Sequence, residues 1–350
     1  MDRKEEIIRL QNRILHEYAQ HELKMIGEDL WGTSNPKARQ LHERVAEMTK
    51  HDAAPAAKEE AAEKKPLSDN GQTPPEPEKI EDLKKELHSY IGLNLIKEEV
   101  ESLINWIEIC KQRKAFDLPT PELSLHMVFS GNPGTGKTMI ARLMARIYHS
   151  LGILSKGQLV EVDRSGLVAG YVGQTAGKTT EVVNKALGGV LFIDEAYTLI
   201  NKSENDFGQE AVDTILKAME DNRNDLVVIV AGYTELMEEF IHSNPGLESR
   251  FNRFMHFPDY TIEEMMGIFD MRCSQSGYQL ADTARDELQT ILEEKSKDVG
   301  GFGNARGVRN LFEKAIAEQA DRLAALTEPM TKALLMTLTE ADINAAFEKA

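Results

Sequence analysis

The sequence predicts an α/β protein: a domain built on a five-stranded parallel sheet, with a helical domain after it. Three observations predict this. Five short apolar runs alternate with amphipathic stretches between residues 125 and 257, a glycine-rich loop follows the first run, and after Pro258 strand signals largely stop while helix starts recur. Apolar runs separated by helix-length segments are what a parallel sheet covered by helices on both faces requires.

With 350 residues the chain has room for about two domains plus extra segments. Residues 1–50 form a helical docking or self-association segment, because Ile7, Leu10, Ile14 and Tyr18, then Leu23, Ile26 and Leu30, fall at helical spacing between charges. Asn35-Pro36 interrupts the pattern, and the pieces are too small to bury a core alone. Residues 51–80 turn to alanine, proline and charge, with Pro55, Pro66, Pro74, Pro75 and Pro77, and predict a flexible linker. Residues 81–259 form the α/β domain. Helix-patterned segments at Leu83–Leu93 and Leu95–Phe116 come first; the strand-like runs are Val128-Phe129, Leu159–Val162, Val190–Ile193, Leu226–Val230 and Phe254–Phe257. Residues 260–350 predict a helical domain, since Thr261, Thr283 and Thr339 each precede an acid by three residues, the pattern of a capped helix start. Leu334–Leu338 is readable either as helix or as a short strand.

A net charge of −17, from 41 basic and 58 acidic residues, argues against a sequence-independent grip on nucleic acid, which needs a dense basic surface to replace phosphate counterions. Cys110 and Cys273 lie in helix-like apolar contexts without metal-ligand spacing, so they predict structural thiols in a reducing compartment. No apolar run has the length of a membrane span, and Met-Asp-Arg-Lys-Glu-Glu lacks a signal peptide's apolar stretch. The expectation is a soluble, cytoplasmic protein.

The chemistry starts at Gly131-Asn-Pro-Gly-Thr-Gly-Lys137-Thr138, placed between the strand-like Leu125–Ser130 and the helix-patterned Met139–Tyr148. The G-x-x-x-x-G-K-T spacing lets backbone N–H groups cradle nucleotide phosphates at a helix N-terminus, with the lysine on the β/γ-phosphates and the threonine hydroxyl on magnesium. Asn132, Pro133, Gly134, Thr135, Gly136, Lys137, Thr138 and Met139 are therefore the candidate ATP-binding residues. Gly177-Lys178-Thr179 fails the same test, because Val172 stands where the first glycine is needed, and it reads as ordinary helix. A second acidic motif, Leu191-Phe-Ile-Asp194-Glu195-Ala196, ends an apolar strand in two carboxylates. Asp194 suits the magnesium shell, and Glu195 suits polarising a water for in-line attack on the γ-phosphate. The plainer account is a solvated turn; a kinase would need a phosphoacceptor pocket that the sequence does not reveal.

Phosphate loop, Asp-Glu motif and helical lid together resemble an AAA+ ATPase. The chain is most similar to the group of the red-type Rubisco activase CbbX and stage V sporulation protein K, through Leu125-His-Met127, Leu154–Gly157, Gly170-Tyr-Val-Gly-Gln-Thr175, Leu191–Tyr197, Asp206-Phe-Gly208, Ala231-Gly-Tyr233, Asn244–Arg250 and Phe257-Pro-Asp-Tyr260. The resemblance implies a five-stranded ATPase domain with a C-terminal helical lid and a ring, usually hexameric, with ATP and magnesium at subunit boundaries. It places Ile91 and Gly92 at the adenine. It assigns Arg250 as an arginine finger for a neighbouring subunit, and phosphoryl transfer does need more cations than Lys137 supplies. Arg253 is the nearby alternative, and a local ion pair is the plain account of either. It implies that Arg306 is the second sensor, with Arg309 one turn away as a competitor. The first sensor departs from the wider superfamily: Tyr233 stands at about that point, with Thr234 beside it. Tyr171 and Val172 fall where the family projects a loop into its central pore, and an aromatic between glycines suits gripping a moving chain. Packing against core or subunit is the other account of Tyr171. Asp206-Phe207-Gly208 is a second pore candidate.

Two functions follow. One is an ATP-driven homo-hexamer that remodels a protein client by pulling on a terminus or loop, Rubisco or a sporulation protein being among the candidates. The alternative is a nucleotide-switched assembly factor, or a nucleic-acid-directed ATPase, that does not thread a chain.

Overall fold

The computed structural model describes residues 76–348 apart from 122–123, 172, 201–206 and 328. The helices expected in 1–50, the linker up to residue 75, Val172 and Asp206 lie outside the described residues. Two helices come first, α1 (Ile80–Ser89) and α2 (Asn94–Ala115). They lead into β1 (Met127–Gly131), α3 (Lys137–Ser150), β2 (Leu159–Val162), α4 (Arg164–Leu167), α5 (Thr175–Ala186) and β3 (Val190–Ile193). A 3-10 turn at Ala196–Leu199 precedes α6 (Gly208–Asp221), β4 (Val227–Gly232), α7 (Thr234–His242), α8 (Pro245–Arg250) and β5 (Arg253–Phe257).

The five strands are parallel and lie in the order β2-β3-β4-β1-β5. Successive side chains point to opposite faces, and both faces are buried. Met127, Phe129, Val190, Phe192, Ile229, Ala231, Met255 and Phe257 pack with α1, α2 and α3 on one side. Val128, Leu191, Ile193, Val228 and Val230 pack with α5, α6 and α7 on the other. The core of the first face runs on into the lid through Tyr260, Met265 and Phe269. Phosphate loop and acid pair follow β1 and β3, with only β4 between these strands, so both motifs emerge at the same carboxyl edge of the sheet, where open α/β folds bind ligands.

The lid comprises α9 (Ile262–Ser276), β6 (Gln279–Leu280), α10 (Asp282–Lys295), α11 (Val299–Phe302), α12 (Asn304–Ala324), α13 (Lys332–Met336), β7 (Thr337–Leu338) and α14 (Glu340–Glu348). The expected start of α9 is realised as a capping box: Thr261 Oγ1 accepts from the Glu264 N–H at 3.2 Å, and Glu264 accepts from the Thr261 N–H at 2.8 Å. At the last helix, Asp342 accepts from the N–H and hydroxyl of Thr339 and from the Arg322 guanidinium, which ties α14 to α12.

Two expectations need correction. The helix pattern running to Leu93 stops at Ser89, because Gly92 and Leu93 adopt left-handed φ values of +64° and +57°. A Cβ on Gly92 would stand 2.5 Å from Glu264 Oε1, so this turn is fitted to the lid. Thr283 is not a cap: α10 begins one residue earlier, at Asp282, with Ala281 before it. The lid is helical as expected apart from β6 and β7, two residues each, which pair in parallel; Leu334–Leu338, readable either way, divides between α13 and β7. Residues 76–80 of the segment expected as linker are among the described ones, and Glu78 is held by α3. Arg146 of α3 donates to Glu78 at 2.7 Å and to Glu86 at 2.9 Å, and Ser150 donates to the Glu78 carbonyl at 2.7 Å.

His126, just before β1, is buried, and its Nδ1 accepts from the Val228 N–H at 3.0 Å. Burial first, and the Arg250 charge second, push its pKa down to about 4. The unfolded chain then binds this proton near pH 6.5 while the native chain resists it until about 4, so stability falls as pH drops through that window, by about 3 kcal/mol in all. Melting temperature measured against pH tests this: the acid-side slope between pH 6.5 and 4 is shallower in His126→Asn than in the parent.

Candidate functional site

The phosphate loop is shaped by what it must approach. Gly134 has φ +75°, and a Cβ there would meet the Gly303 carbonyl oxygen at 2.1 Å, so only glycine lets the loop lie against the lid. The Ala305 N–H donates to the Gly134 carbonyl at 3.2 Å across this contact. Helix α3 starts at Lys137, which directs its N-terminus toward the loop. Lys137 Nζ donates to the carbonyls of Gly131 and Asn132, each at 2.8 Å. Burial, aided by Arg306, lowers the pKa of this ammonium, while Asp194 and Asp259 oppose the shift.

Pro133, Gly134, Gly136, Lys137, Thr138, Met139, Asp194, Glu195 and Arg306 surround one cleft of about 400 Å³, joined by Tyr233, Arg272 and Arg309. At the strand end, Asp194 Oδ1 accepts from the Glu195 N–H at 3.1 Å. Glu195 is an exposed non-glycine residue at φ +48°. Such a conformation persists only when its surroundings fix it; here the Thr198 N–H and hydroxyl both donate to the Glu195 carbonyl, at 2.9 and 2.7 Å. Tyr197 and Tyr233 lie with ring centroids 6.2 Å apart beside the acids. Burial raises the Tyr197 pKa, and Glu195, Tyr233 and Asp194 raise it further.

Some expected residues do not line this cleft. The Asn132 amide is turned away to Asp259, at 2.9 and 3.0 Å. Thr135 is buried, and its hydroxyl donates to the Asn132 carbonyl at 2.8 Å. Ile91 and Gly92 lie beside the loop rather than in the cleft, in the turn whose Leu93 side chain comes close to Gly136. Arg250 stands outside this chain's own cleft. It lines a second cleft with Ser124, His126 and Glu220, its Nη2 is 3.3 Å from Glu220 Oε2, and its buried Nε has no hydrogen-bond partner among the described residues. Arg253 is occupied elsewhere, over the Trp106 ring at 5.1 Å and on the Ser124 carbonyl. The Gly177-Lys178-Thr179 step lies inside α5, with Lys178 donating to the carbonyls of Ser165 and Val168.

Asn304 and Asp259 were not singled out from the sequence, although Asp259 lies in Phe257-Pro-Asp-Tyr260 and Asn304 stands two residues before Arg306. Asn304 is buried at φ +53°; its Oδ1 accepts from the Tyr260 N–H at 3.0 Å, and its Nδ2 donates to Asp259 at 2.8 Å and to the Pro133 carbonyl at 3.3 Å. This side chain joins the lid to the phosphate loop.

The model of the ATPase family associated with various cellular activities (AAA) matches residues 127–259, and that of the AAA lid domain matches 261–350. Stage V sporulation protein K of Bacillus subtilis (strain 168) is 40% identical over 269 residues, covering 76% of this chain and 83% of that protein. The chain belongs to the AAA ATPases. Protein CbbX of Cereibacter sphaeroides is 42% identical over 271 residues, covering 77% of this chain and 86% of that one. A chloroplastic ribulose bisphosphate carboxylase/oxygenase activase of Cyanidioschyzon merolae is 41% identical over 268 residues, covering 76% and 90%. A RuvB mutant of Thermotoga maritima superposes with a TM-score of 0.50 at 18% identity, over 75% of this chain and 72% of that one, a likeness of fold. As an AAA ATPase of the CbbX and stage V sporulation protein K group, the protein hydrolyses ATP.

Asn304→Ala strands the Tyr260 N–H and places a Cβ-bearing residue without a compensating side-chain bond at positive φ. It lowers unfolding stability by about 2–3 kcal/mol in denaturant titration. Asn304→Gly, which tolerates the backbone angle, costs less.

Proposed function

We propose that this AAA ATPase works as a ring, a homo-hexamer of the kind its family implies, and remodels a protein client by drawing a terminus or loop through the ring on Tyr171. The observation that carries this reading is the exposure of Tyr171, 74%, on the segment between α4 and α5. A core-packing role would bury the ring. The flanking Gly170 and Gly173 have open space around them as well, with nothing within 4 Å of an added Cβ. Val172 belongs to the same proposed loop and lies outside the described residues.

In this reading the backbone from Gly134 to Thr138 cradles the phosphates of ATP, and the Lys137 ammonium neutralises them. Arg306 reaches the nucleotide from the lid, and Ile91 and Gly92 flank the base. The Thr138 hydroxyl and Asp194 carboxylate are hard oxygen donors on one cleft; they fit Mg²⁺, which binds through one or two protein oxygens plus substrate phosphates and would supply charge neutralisation there. Glu195 takes a proton from the attacking water. Arg250 lies away from its own chain's cleft, so a nucleotide that meets it belongs to a neighbouring copy, which supports a ring. Arg253, engaged with Trp106, is the weaker finger. Tyr233 lines the cleft at the first-sensor point, which supports it over Thr234, the first residue of α7.

Among the described residues no helix is long and apolar enough to cross a membrane, and Cys110 and Cys273 are free thiols, which supports a cytoplasmic setting. Remodelling is favoured over a scaffold or nucleic-acid-directed role by the exposed aromatic and by the net charge of −17.

Glu195→Gln retains ATP binding and loses turnover by about 100-fold or more in a steady-state phosphate-release assay; normal turnover overturns Glu195 as the base. In the Glu195→Gln background with ATP, client proteins co-purify with the ring. Adding Tyr171→Ala abolishes that capture, while Tyr171→Ala alone keeps ATPase activity within about twofold of the parent. Undiminished capture would point instead to a ring that scaffolds partners without threading them.

A further inference from the structure

Three arginines reach the nucleotide cleft from the lid, and their surroundings differ. Arg309 is held by Glu313 one turn along α12, at 2.7 Å. Arg306 is exposed in the first turn of α12 and carries the second-sensor reading. Arg272 comes from a different helix, α9. It is half-buried, and its buried Nε has no hydrogen-bond partner among the described residues.

Elsewhere in the lid arginines have carboxylates: Arg285 holds Asp270, and Arg322 holds Asp342. Arg272 has none within helical reach, because the positions three and four residues away are Ile268, Phe269, Gln275 and Ser276. The chain carries 58 acidic residues against 41 basic ones, so this is not for want of acids. A buried guanidinium N–H without an acceptor is costly, and the cost is recovered only when something supplies one. The opposite wall of the cleft is the phosphate loop, Gly134, Gly136, Lys137 and Thr138. What that wall binds brings oxygen anions, and the planar fork of a guanidinium matches phosphate oxygens.

We propose that Arg272 is a nucleotide-binding residue whose guanidinium donates to phosphate oxygens of the nucleotide in this cleft. The lid then grips the ligand from two helices, α9 through Arg272 and α12 through Arg306. Helix α9 also carries Glu264, which abuts Gly92 in the turn before α2, so a phosphate contact at Arg272 bears on the part of the lid that flanks the other end of the site. The inference rests on reading the cleft as the ATP site.

The test uses the full chain, titrated calorimetrically with Mg-ATP and Mg-ADP at two salt concentrations, and melted with and without Mg-ATP. Arg272→Ala weakens binding of both nucleotides by about tenfold, and the salt dependence of their affinity becomes shallower, because one phosphate-paired cation is gone. Arg272→Lys, which keeps the charge and loses the fork, recovers part of the affinity. Arg285→Ala, a lid arginine held by Asp270 and outside the cleft, stays within about twofold of the parent. Without nucleotide, Arg272→Ala melts no lower than the parent, since an unpartnered buried group has been removed, and its ATP-induced rise in melting temperature is smaller. Parent-like affinity for both nucleotides in Arg272→Ala overturns the proposal and leaves the cleft reading intact. A lower melting temperature with an unchanged ATP-induced rise also overturns it, in favour of a structural role. A parent chain that fails to bind ATP overturns the cleft reading and this inference together.

Discussion

Asn304 holds together the parts of the described chain that matter for chemistry. Its amide is buried, stands at a left-handed backbone position, and bonds to Tyr260, Asp259 and Pro133, so it touches the end of the α/β domain, the start of the lid and the phosphate loop at once. Asp259 extends the same network to Asn132. A buried amide that satisfies its donors and acceptor in this way is strongly directional, because any rotation of the lid leaves one of those groups unpaired. The missing Cβ of Gly134 allows the approach, and the Asn304 bonds give it a fixed direction.

The arrangement at the strand ends depends on that tie. Lys137 and Arg306 come from opposite sides of the contact, while Asp194 and Glu195 are supplied by β3, two positions away in the sheet from β1. The left-handed backbone at Glu195 turns the chain sharply out of β3, and the two bonds from Thr198 hold the turn. Cations and carboxylates are thus set across a cleft whose walls belong to separate segments, and the shared apolar core that runs from Phe129 to Phe269 keeps those segments in register.

The sequence made the sheet and both motifs visible for a physical reason. A parallel strand buried on two faces has to be a continuous apolar run, and a loop that wraps phosphates has to carry glycines at fixed intervals. Side-chain direction was hidden. Asn132 and Thr135 occupy loop positions, yet Asn132 is spent on Asp259 and Thr135 points inward, facts set by tertiary partners. The end of α1 was hidden for a related reason, since the apolar spacing continues to Leu93 while the backbone is bent by a turn fitted to Glu264. β6 and β7, two residues each, are too short to show an alternating pattern. Arg272 looks in sequence like any helix-surface arginine; what sets it apart is tertiary, its place on the cleft and its buried Nε without a hydrogen-bond partner among the described residues.

The pairing of Glu78 with Arg146 changes how a shortened chain would have to be interpreted. Helix α3 spans 14 residues, about 21 Å, with Lys137 at one end and Arg146 and Ser150 near the other. Cutting the chain at residue 80 does more than shorten it: it takes the bidentate partner from Arg146, leaves Ser150 without the Glu78 carbonyl, and exposes the back of the helix that opens at the phosphate loop. A change in ATP turnover after such a cut would report on that helix before it reported on anything the missing residues recruit, and a cut made ahead of Glu78 separates the two effects.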